Sequence, residues 1–375
     1  MSFLVHHRKL ICAAIIGLAI LYVMPVRVMV AGRNDFAHFY IGGMLYGTPD
    51  IHSPEVNFQK QIDLFGIIMA NSYFIRPTFY GFLLKPLSWL PYYSAYLVFQ
   101  CISLLCVVLF LRTFTRTYKD LLPIALMSPP LIANFILGQD VTLLLGFLTI
   151  AVLLTRKGLD FAAGFVLAFC AIKIHLFLLV PVALLFHRRW RILGGGMAAG
   201  LLFAIIGLAS GGVAVYTKLF EMARNPMSHP APEIMPNLRG FVFAILGGQN
   251  ATLLVVLWLC TAVVACYLIW KAETLERALA FALIGGLLVN FHSYMQDSLL
   301  LLIGLALLTD RYQPKYVTRW LTISVLPFLY VLLYYAPPYS GLFHLSVIIS
   351  LIAAVRGHSN AENRVLLPAT VPTTT

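Results

Sequence analysis

Apolar runs of bilayer length recur along this chain, and they limit its fold more than any other feature. The first extends from Leu10 to Ala31, flanked by His6-His7-Arg8-Lys9 and by Arg33. Others lie near 92–111, 121–137, 141–155, 160–172, 176–186, 192–212, 251–270, 278–291, 298–309, 320–336 and 341–355. A hydrocarbon core needs about 20 apolar residues per helix, fewer where a helix is broken or re-entrant. The runs therefore predict an all-α polytopic membrane protein with about 12 transmembrane helices. Hydrophobic residues make up 61% of the chain and charged residues 11%, with a mean hydropathy of +0.89. Soluble proteins carry roughly a quarter charged residues. A soluble fold of 375 residues has no interior able to hide this much apolar surface. That excludes a soluble enzyme, a disordered scaffold and a nucleic-acid binder, despite a net charge of +12.

The first run is too long for a signal peptide and lacks a small-residue cleavage site, so it reads as a retained helix. Cys12, Cys101, Cys106, Cys170, Cys260 and Cys266 all fall inside apolar runs, without the spacing of a disulfide framework or a zinc site. They read as inert buried thiols.

The positive charge orients the chain. With the N-terminus cytoplasmic, one set of connections holds Arg8, Lys9, Arg112, Arg116, Lys119, Arg156, Lys157, Arg188, Arg189, Arg191, Lys271, Arg277, Arg311, Lys315, Arg319, Arg356 and Arg364. These are 17 of the 26 Lys and Arg residues, nearly all in short loops, where the positive-inside rule applies best. Seven of the other nine lie in two long segments, 32–91 and 213–250. Both termini are expected in the cytoplasm, with the long segments outside. Residues 1–355 then form one integral membrane domain, and 356–375 a disordered cytoplasmic tail.

The outward segment 32–91 has its own pattern. Phe58, Ile62, Phe65 and Met69 recur at helical spacing with Gln59, Lys60 and Asp63 on other faces, which predicts an amphipathic interfacial helix. Pro77, Pro86 and Pro91 break the following apolar run and favour a re-entrant or interfacial path. No internal repeat of fixed period is evident, which counts against an inverted-repeat transporter.

Unusual polar residues gather on the same side. Asp35, in Gly32-Arg33-Asn34-Asp35-Phe36-Ala37-His38-Phe39-Tyr40, is either a carboxylate at the outer interface or an N-cap for the helix that starts at Phe36. Arg76, in Tyr73-Phe74-Ile75-Arg76-Pro77-Thr78, is a fixed cation or a snorkelling side chain. Gly138-Gln139-Asp140 interrupts two apolar runs. Lys173, in Ala171-Ile172-Lys173-Ile174-His175, sits in sequence so apolar that it needs a partner; Asp140 or a bound phosphate would serve. Met235-Pro236-Asn237-Leu238-Arg239-Gly240 and Asn290-Phe291-His292-Ser293-Tyr294-Met295-Gln296-Asp297 complete the set.

In this order the elements resemble glycosyltransferase family 87, polyprenyl-phosphate-mannose-dependent mannosyltransferases of the GT-C class. The resemblance covers roughly residues 30–300. It rests on Asp35-Phe36 with Phe39-Tyr40 and Gly47, then Pro77, Lys85-Pro86-Leu87 and Leu90-Pro91. Gly138-Gln139, Lys173, Arg188-Arg189-Trp190-Arg191, Asn237-Leu238-Arg239-Gly240, and His292 with Tyr294 and Asp297 follow. Three positions depart from the family pattern. Asp140 replaces a residue that is more often neutral, Arg76 stands in an element that is usually aromatic, and Tyr294 and Asp297 are separated rather than adjacent.

The resemblance implies an inverting transfer of a hexose, mannose in the family, from a polyprenyl-phosphate donor to a glycolipid or glycan acceptor on the non-cytoplasmic face of a bacterial-type plasma membrane. An acceptor hydroxyl is a poor nucleophile, so a carboxylate must take its proton, and Asp35 is the candidate base. The departing lipid phosphate calls for cations, with Lys173, Arg239 and Arg76 expected in that order. His292 is expected at the phosphate or the sugar, and Gln139, Asn237, Tyr40 and His175 among the substrate contacts. No cofactor is implied, although one carboxylate together with the phosphate could recruit a divalent metal. A membrane transporter or flippase, and a sugar-polymer ligase using a lipid-linked substrate, are the alternatives.

Overall fold

The computed structural model describes residues 2–68, 73–116, 118–224, 231–309, 315–335 and 339–366, and every regular element among them is helical. Four described helices have the length and apolarity to cross a bilayer: Tyr92–Phe114, Asp160–Phe177, Trp190–Gly211 and Ala251–Lys271. Counting the bent pairs Pro129–Ile136 with Val141–Arg156, and Val317–Ser324 with Pro327–Tyr334, gives six. The twelve crossings expected from apolar runs exceed this number. Several runs fold instead as short helices such as Leu121–Leu126, Val180–Phe186 and Leu300–Leu308.

Burial shows how the helices are used. In Tyr92–Phe114 the residues Tyr92, Ala95, Tyr96, Phe99, Ser103, Val107, Phe110 and Phe114 form a buried stripe at helical spacing. Leu97 and Leu105 on the opposite face are exposed, as suits a surface solvated by lipid. All but two of the 15 residues of Leu275–Val289 are buried, which makes it the central post of the bundle. The helices Asp160–Leu167 and Trp190–Gly211 pack backbone to backbone. A Cβ at Gly164 would run into the Ile192 carbonyl, and one at Gly195 into the Phe161 carbonyl.

The polar contacts segregate to two ends. Lys9 meets Asp120 at 2.9 Å, Arg156 meets Glu276 at 2.6 Å, and Arg189 lies 3.6 Å from Asp160. All three join connections that the charge pattern puts on one side. At the other end Arg76, Asp140, Lys173 and Asp297 converge, and Lys218 meets Asp50 at 2.7 Å. The structure thus brings the two long segments and the unusual polar residues to the same end.

The expected interfacial helix is Pro54–Phe65, capped by Ser53 and ended by Gly66 at φ +72°. Ile62 and Leu64 are exposed, while the polar Asn57 and Gln61 are buried. Met69, expected on its apolar face, lies outside the described residues. Pro77 precedes the seven-residue helix Thr78–Leu84, and Pro91 precedes Tyr92–Phe114. The last helix extends past Arg356, where the tail was expected to begin, to Leu366; residues 367–375 lie outside the described residues.

Candidate active site

The site is built on two interruptions of helix. The first is the turn between Pro129–Ile136 and Val141–Arg156, which bends by 118°. Gly138 occupies this turn at φ +61°, where a side chain is strained, and a Cβ there would press on Asn34 Oδ1 at 2.9 Å and Phe36 Cβ at 3.0 Å. Glycine therefore lets the turn close against the start of the helix Phe36–Leu45. The second is Lys173, whose φ of −129° and ψ of 63° break the run Ala168–Phe177 and place its ammonium within the bundle.

Asp35 precedes Phe36–Leu45 without capping it by its side chain; Asn34 Oδ1 accepts from the Phe36 amide at 3.1 Å instead. The Asp35 backbone N–H donates to the Leu137 carbonyl at 2.9 Å, fixing it against the Gly138 turn. The Gln139 amide nitrogen donates to the half-buried Asp35 carboxylate, and Gln139 Oε1 accepts from Lys173 Nζ at 3.2 Å. Gln139 is thus a neutral bridge between the carboxylate and the lysine.

Lys173 has anionic partners of its own. Its Nζ lies 2.7 Å from Asp297 and 3.3 Å from Asp140. Arg76 holds Asp140 through Nε at 2.6 Å and Nη2 at 3.3 Å, and its guanidinium sits over the Phe39 ring. Asp297 also accepts from the Tyr294 amide at 2.8 Å. Two cations and two carboxylates thus form a buried, formally neutral quartet, with Asp140 side chain 0% exposed. Their positive charge is shared with carboxylates rather than presented to a ligand.

Asp35 differs from both quartet carboxylates. Among the described residues no cation contacts it directly. It lies in the connection ahead of Phe36–Leu45, outside the membrane-spanning helices. Burial pushes its carboxyl above the ordinary carboxylate range, and Gln139, Lys173 and Arg76 pull it back only in part.

Arg239 lies in Leu238–Leu246 with its guanidinium 4.4 Å from the centre of the Phe291 ring and Gln249 within hydrogen-bond reach. The His292 ring is 4.8 Å from Tyr294 and 5.9 Å from His175, centre to centre. The Tyr294 phenol interacts electrostatically with Arg239, Asp297, Glu233 and Asp35, so these groups share one neighbourhood. His175 Nε2 has no partner among the described residues.

Two expected contacts stand apart from this group. Asn237 is fully buried; its Oδ1 accepts from Gly240 N at 3.1 Å, and its Nδ2 donates to Asn290 at 3.0 Å and 3.1 Å. Its amide clamps one helix start to the end of Leu275–Val289. The Tyr40 hydroxyl donates to the Leu90 carbonyl at 2.7 Å and ties the helix Phe36–Leu45 to the start of Tyr92–Phe114.

Sequence reasoning named Asp140 as a partner for Lys173 and Tyr294 and Asp297 as part of the family pattern, but counted none of them, nor His38, among the site residues. The signal for the acids was the scarcity of carboxylates: one placed beside a lipid-embedded lysine has to be its counter-ion. His38, in the first turn of the helix that follows Asp35, is buried with neither ring nitrogen hydrogen-bonded among the described residues. Its position after a candidate base was the available clue.

An apolar groove of about 280 Å³ opens beside this end. Ile16, Ile20, Val23, Pro129, Met295 and Val331 are among its walls. Met295 lies two residues before Asp297, and its amide N–H donates to the Tyr334 hydroxyl at 3.2 Å.

No curated protein and no solved structure matches the chain. The family model of glycosyltransferase family 87 matches residues 74–302. That region contains Arg76, Gln139, Asp140, Lys173, Asn237, Arg239, His292 and Asp297, while Asp35 lies ahead of it. With more than half its length matched, this membrane-embedded chain belongs to glycosyltransferase family 87.

Proposed function

We propose that the protein is an inverting transferase that moves a hexose, mannose in the first instance, from a polyprenyl-phosphate donor to a glycan or glycolipid hydroxyl on the non-cytoplasmic face of the plasma membrane. One observation carries the reading: Asp35 is the site carboxylate not neutralised by a direct cation, and burial raises its affinity for a proton. A base must be ionised yet unspent, and Asp140 and Asp297 are occupied by Arg76 and Lys173.

In this mechanism the acceptor hydroxyl attacks the anomeric carbon and gives its proton to Asp35, while the bond from that carbon to the lipid phosphate breaks and the phosphate leaves with the electron pair. Arg239, with its guanidinium over the Phe291 ring and within hydrogen-bond reach of Gln249, is the favoured cation for the leaving phosphate. His292 and His175 supply ring nitrogens beside it. Lys173 and Arg76 act through Gln139 and Asp140, holding Asp35 in place rather than meeting the phosphate. Asn237 and Tyr40 brace the elements that carry these groups.

The apolar groove ending near Met295 supports a donor with a lipid chain, because a hydrocarbon tail there would lie beside the charged site. In this reading short helices join end to end across their breaks into a GT-C-like set of about 12 passes, with both termini cytoplasmic.

The test supplies membranes carrying the full chain with polyprenyl-phosphate mannose labelled in the sugar, and a membrane glycolipid extract as acceptor. Transfer of label with equimolar release of polyprenyl phosphate is expected. Transfer from a nucleotide sugar but not from the lipid donor would overturn the reading.

A further inference from the structure

A second cavity lies between the two outward segments. It has a volume of about 370 Å³, within the range of small-ligand pockets. Its walls include His52, Ser53, Glu55 and Tyr73 from the first segment, and Lys218 and Glu221 from the helix Ala214–Arg224. So many polar groups around one cavity contrast with a chain that is 11% charged.

The first segment meets Lys218 and the end of the helix Trp190–Gly211 that leads into the second segment through specific contacts. Lys218 Nζ pairs with Asp50 at 2.7 Å, the Gly47 amide donates to Ser210 Oγ at 3.0 Å, and the Tyr46 hydroxyl donates to the Ile206 carbonyl at 3.2 Å. His52 links the cavity wall to the candidate active site. Its Nδ1 is 3.2 Å from the Phe74 carbonyl and its Nε2 is 3.1 Å from Thr78 Oγ1, on either side of Arg76.

The chemistry of the walls selects a ligand class. Asp50 answers the charge of Lys218, leaving Glu55 and Glu221 as a negative excess that disfavours a phosphate. Carboxylates accept hydrogen bonds and an ammonium donates them, while Ser53 Oγ is engaged within the wall, donating to Glu55 at 2.8 Å and accepting from the Val56 amide at 3.4 Å; the hydroxyls of a sugar match such a mixture. The Tyr73 ring offers an aromatic face to the apolar side of a pyranose.

We infer that this cavity binds a neutral sugar unit of the acceptor, at least one residue removed from the hydroxyl that receives the hexose. The inference rests on the transferase reading and adds a requirement for an acceptor longer than one sugar. The bound unit is anchored between the two outward segments, and the chain of the acceptor continues past Phe74–Thr78 toward Asp35. Anionic sugars are disfavoured by Glu55 and Glu221.

The experiment uses the full chain in lipid nanodiscs with mannotriose and methyl mannoside as probes. Saturation-transfer NMR reads binding, and initial rates with polyprenyl-phosphate mannose read transfer. The trisaccharide should give the stronger binding signal and a lower acceptor KM. Glu221 is exposed, so Glu221→Lys tests the cavity with little risk to folding. That variant should lose the trisaccharide signal and raise its KM at least tenfold with the donor KM unchanged; Glu221→Gln should fall between it and the parent.

Equal signals for parent and Glu221→Lys, or no preference for mannotriose in the parent, would overturn the cavity assignment. Release of polyprenyl phosphate by a parent that does not bind mannotriose would overturn the cavity assignment but leave the transferase reading standing. Bound mannotriose lost in Glu221→Lys, without any donor turnover, would retain the cavity as a sugar site and remove the transferase reading.

Discussion

Replacing Asp140 with Asn removes one negative charge from the centre of the buried quartet. The carboxylate accepts from Arg76 Nε at 2.6 Å and Nη2 at 3.3 Å, and Lys173 Nζ lies 3.3 Å away. Two unit charges 4 Å apart attract by about 4 kcal/mol at an effective dielectric of 20. Removing one partner of a buried pair costs about 3–5 kcal/mol, because the other charge stays buried without compensation. At about 1.3 °C per kcal/mol for a chain of 375 residues, thermal unfolding of the detergent-solubilised protein should shift down by about 4–6 °C. Intrinsic fluorescence provides the readout. The double variant Arg76→Gln with Asp140→Asn removes one charge of each sign and leaves an amide pair able to hydrogen-bond. It should recover at least half of the loss, giving a large coupling energy in the double-mutant cycle. An Asp140→Asn protein that melts within about 2 °C of the parent would refute the quartet, given the per-kcal scale above. A double variant that falls by the sum of the single losses would do the same.

Other expectations bear on the remaining parts. Gln139→Leu removes a hydrogen bond that favours the ionised form of Asp35, so its raised pKa rises further. The base works only when deprotonated; activity is present above its pKa and lost as pH falls through it. The acid limb of the kcat/KM profile should therefore move to higher pH in this variant, and an unmoved limb would separate Gln139 from the titrating group. Arg239→Gln should lower the single-turnover rate of donor cleavage by about 10²–10³-fold, the scale of losing one donor to a developing anion; an unchanged rate would assign the phosphate to another cation. Asn237→Ala removes a helix cap and leaves Asn290 short of a partner, a combined cost of about 2–4 kcal/mol measured as reduced thermal stability. Gly138→Ala places a Cβ against Asn34 and Phe36 at positive φ, and should impair transfer through displacement of Gln139. Its activity profile against temperature distinguishes this from simple unfolding.

The sequence carried the parts of the fold that depend on local chemistry. Prolines at 77 and 91, read in the sequence as breaks, fall just ahead of helix starts, and charge asymmetry grouped loops that the structure brings to common ends. The number of crossings was harder to read, because an apolar run buried by protein needs no bilayer length; Leu300–Leu308 is fully buried at nine residues. For the site, the need of Lys173 for a counter-ion was visible, and Asp140 was an evident candidate. The contact of Lys173 with Asp297 joins positions 124 residues apart, and Arg76 reaches Asp140 across 64. Neither closure leaves a local pattern. These closures make the difference between a cation facing a ligand and one already paired. Asn237 and Tyr40 show the same limit: their polar atoms face inward to backbone and side-chain partners, a choice made by tertiary packing.

Asp35 is central to the proposed chemistry, and a single comparison tests it directly. Membranes containing equal amounts of parent, Asp35→Asn and Asp35→Glu protein are given labelled polyprenyl-phosphate mannose and the acceptor extract. Sugar transfer is measured by scintillation counting of the glycolipid product. The account predicts no transfer above background for Asp35→Asn, at unchanged protein level and melting temperature, and weak residual transfer for Asp35→Glu, whose carboxylate is displaced by one methylene. Full transfer by Asp35→Asn would contradict the assignment of Asp35 as the base.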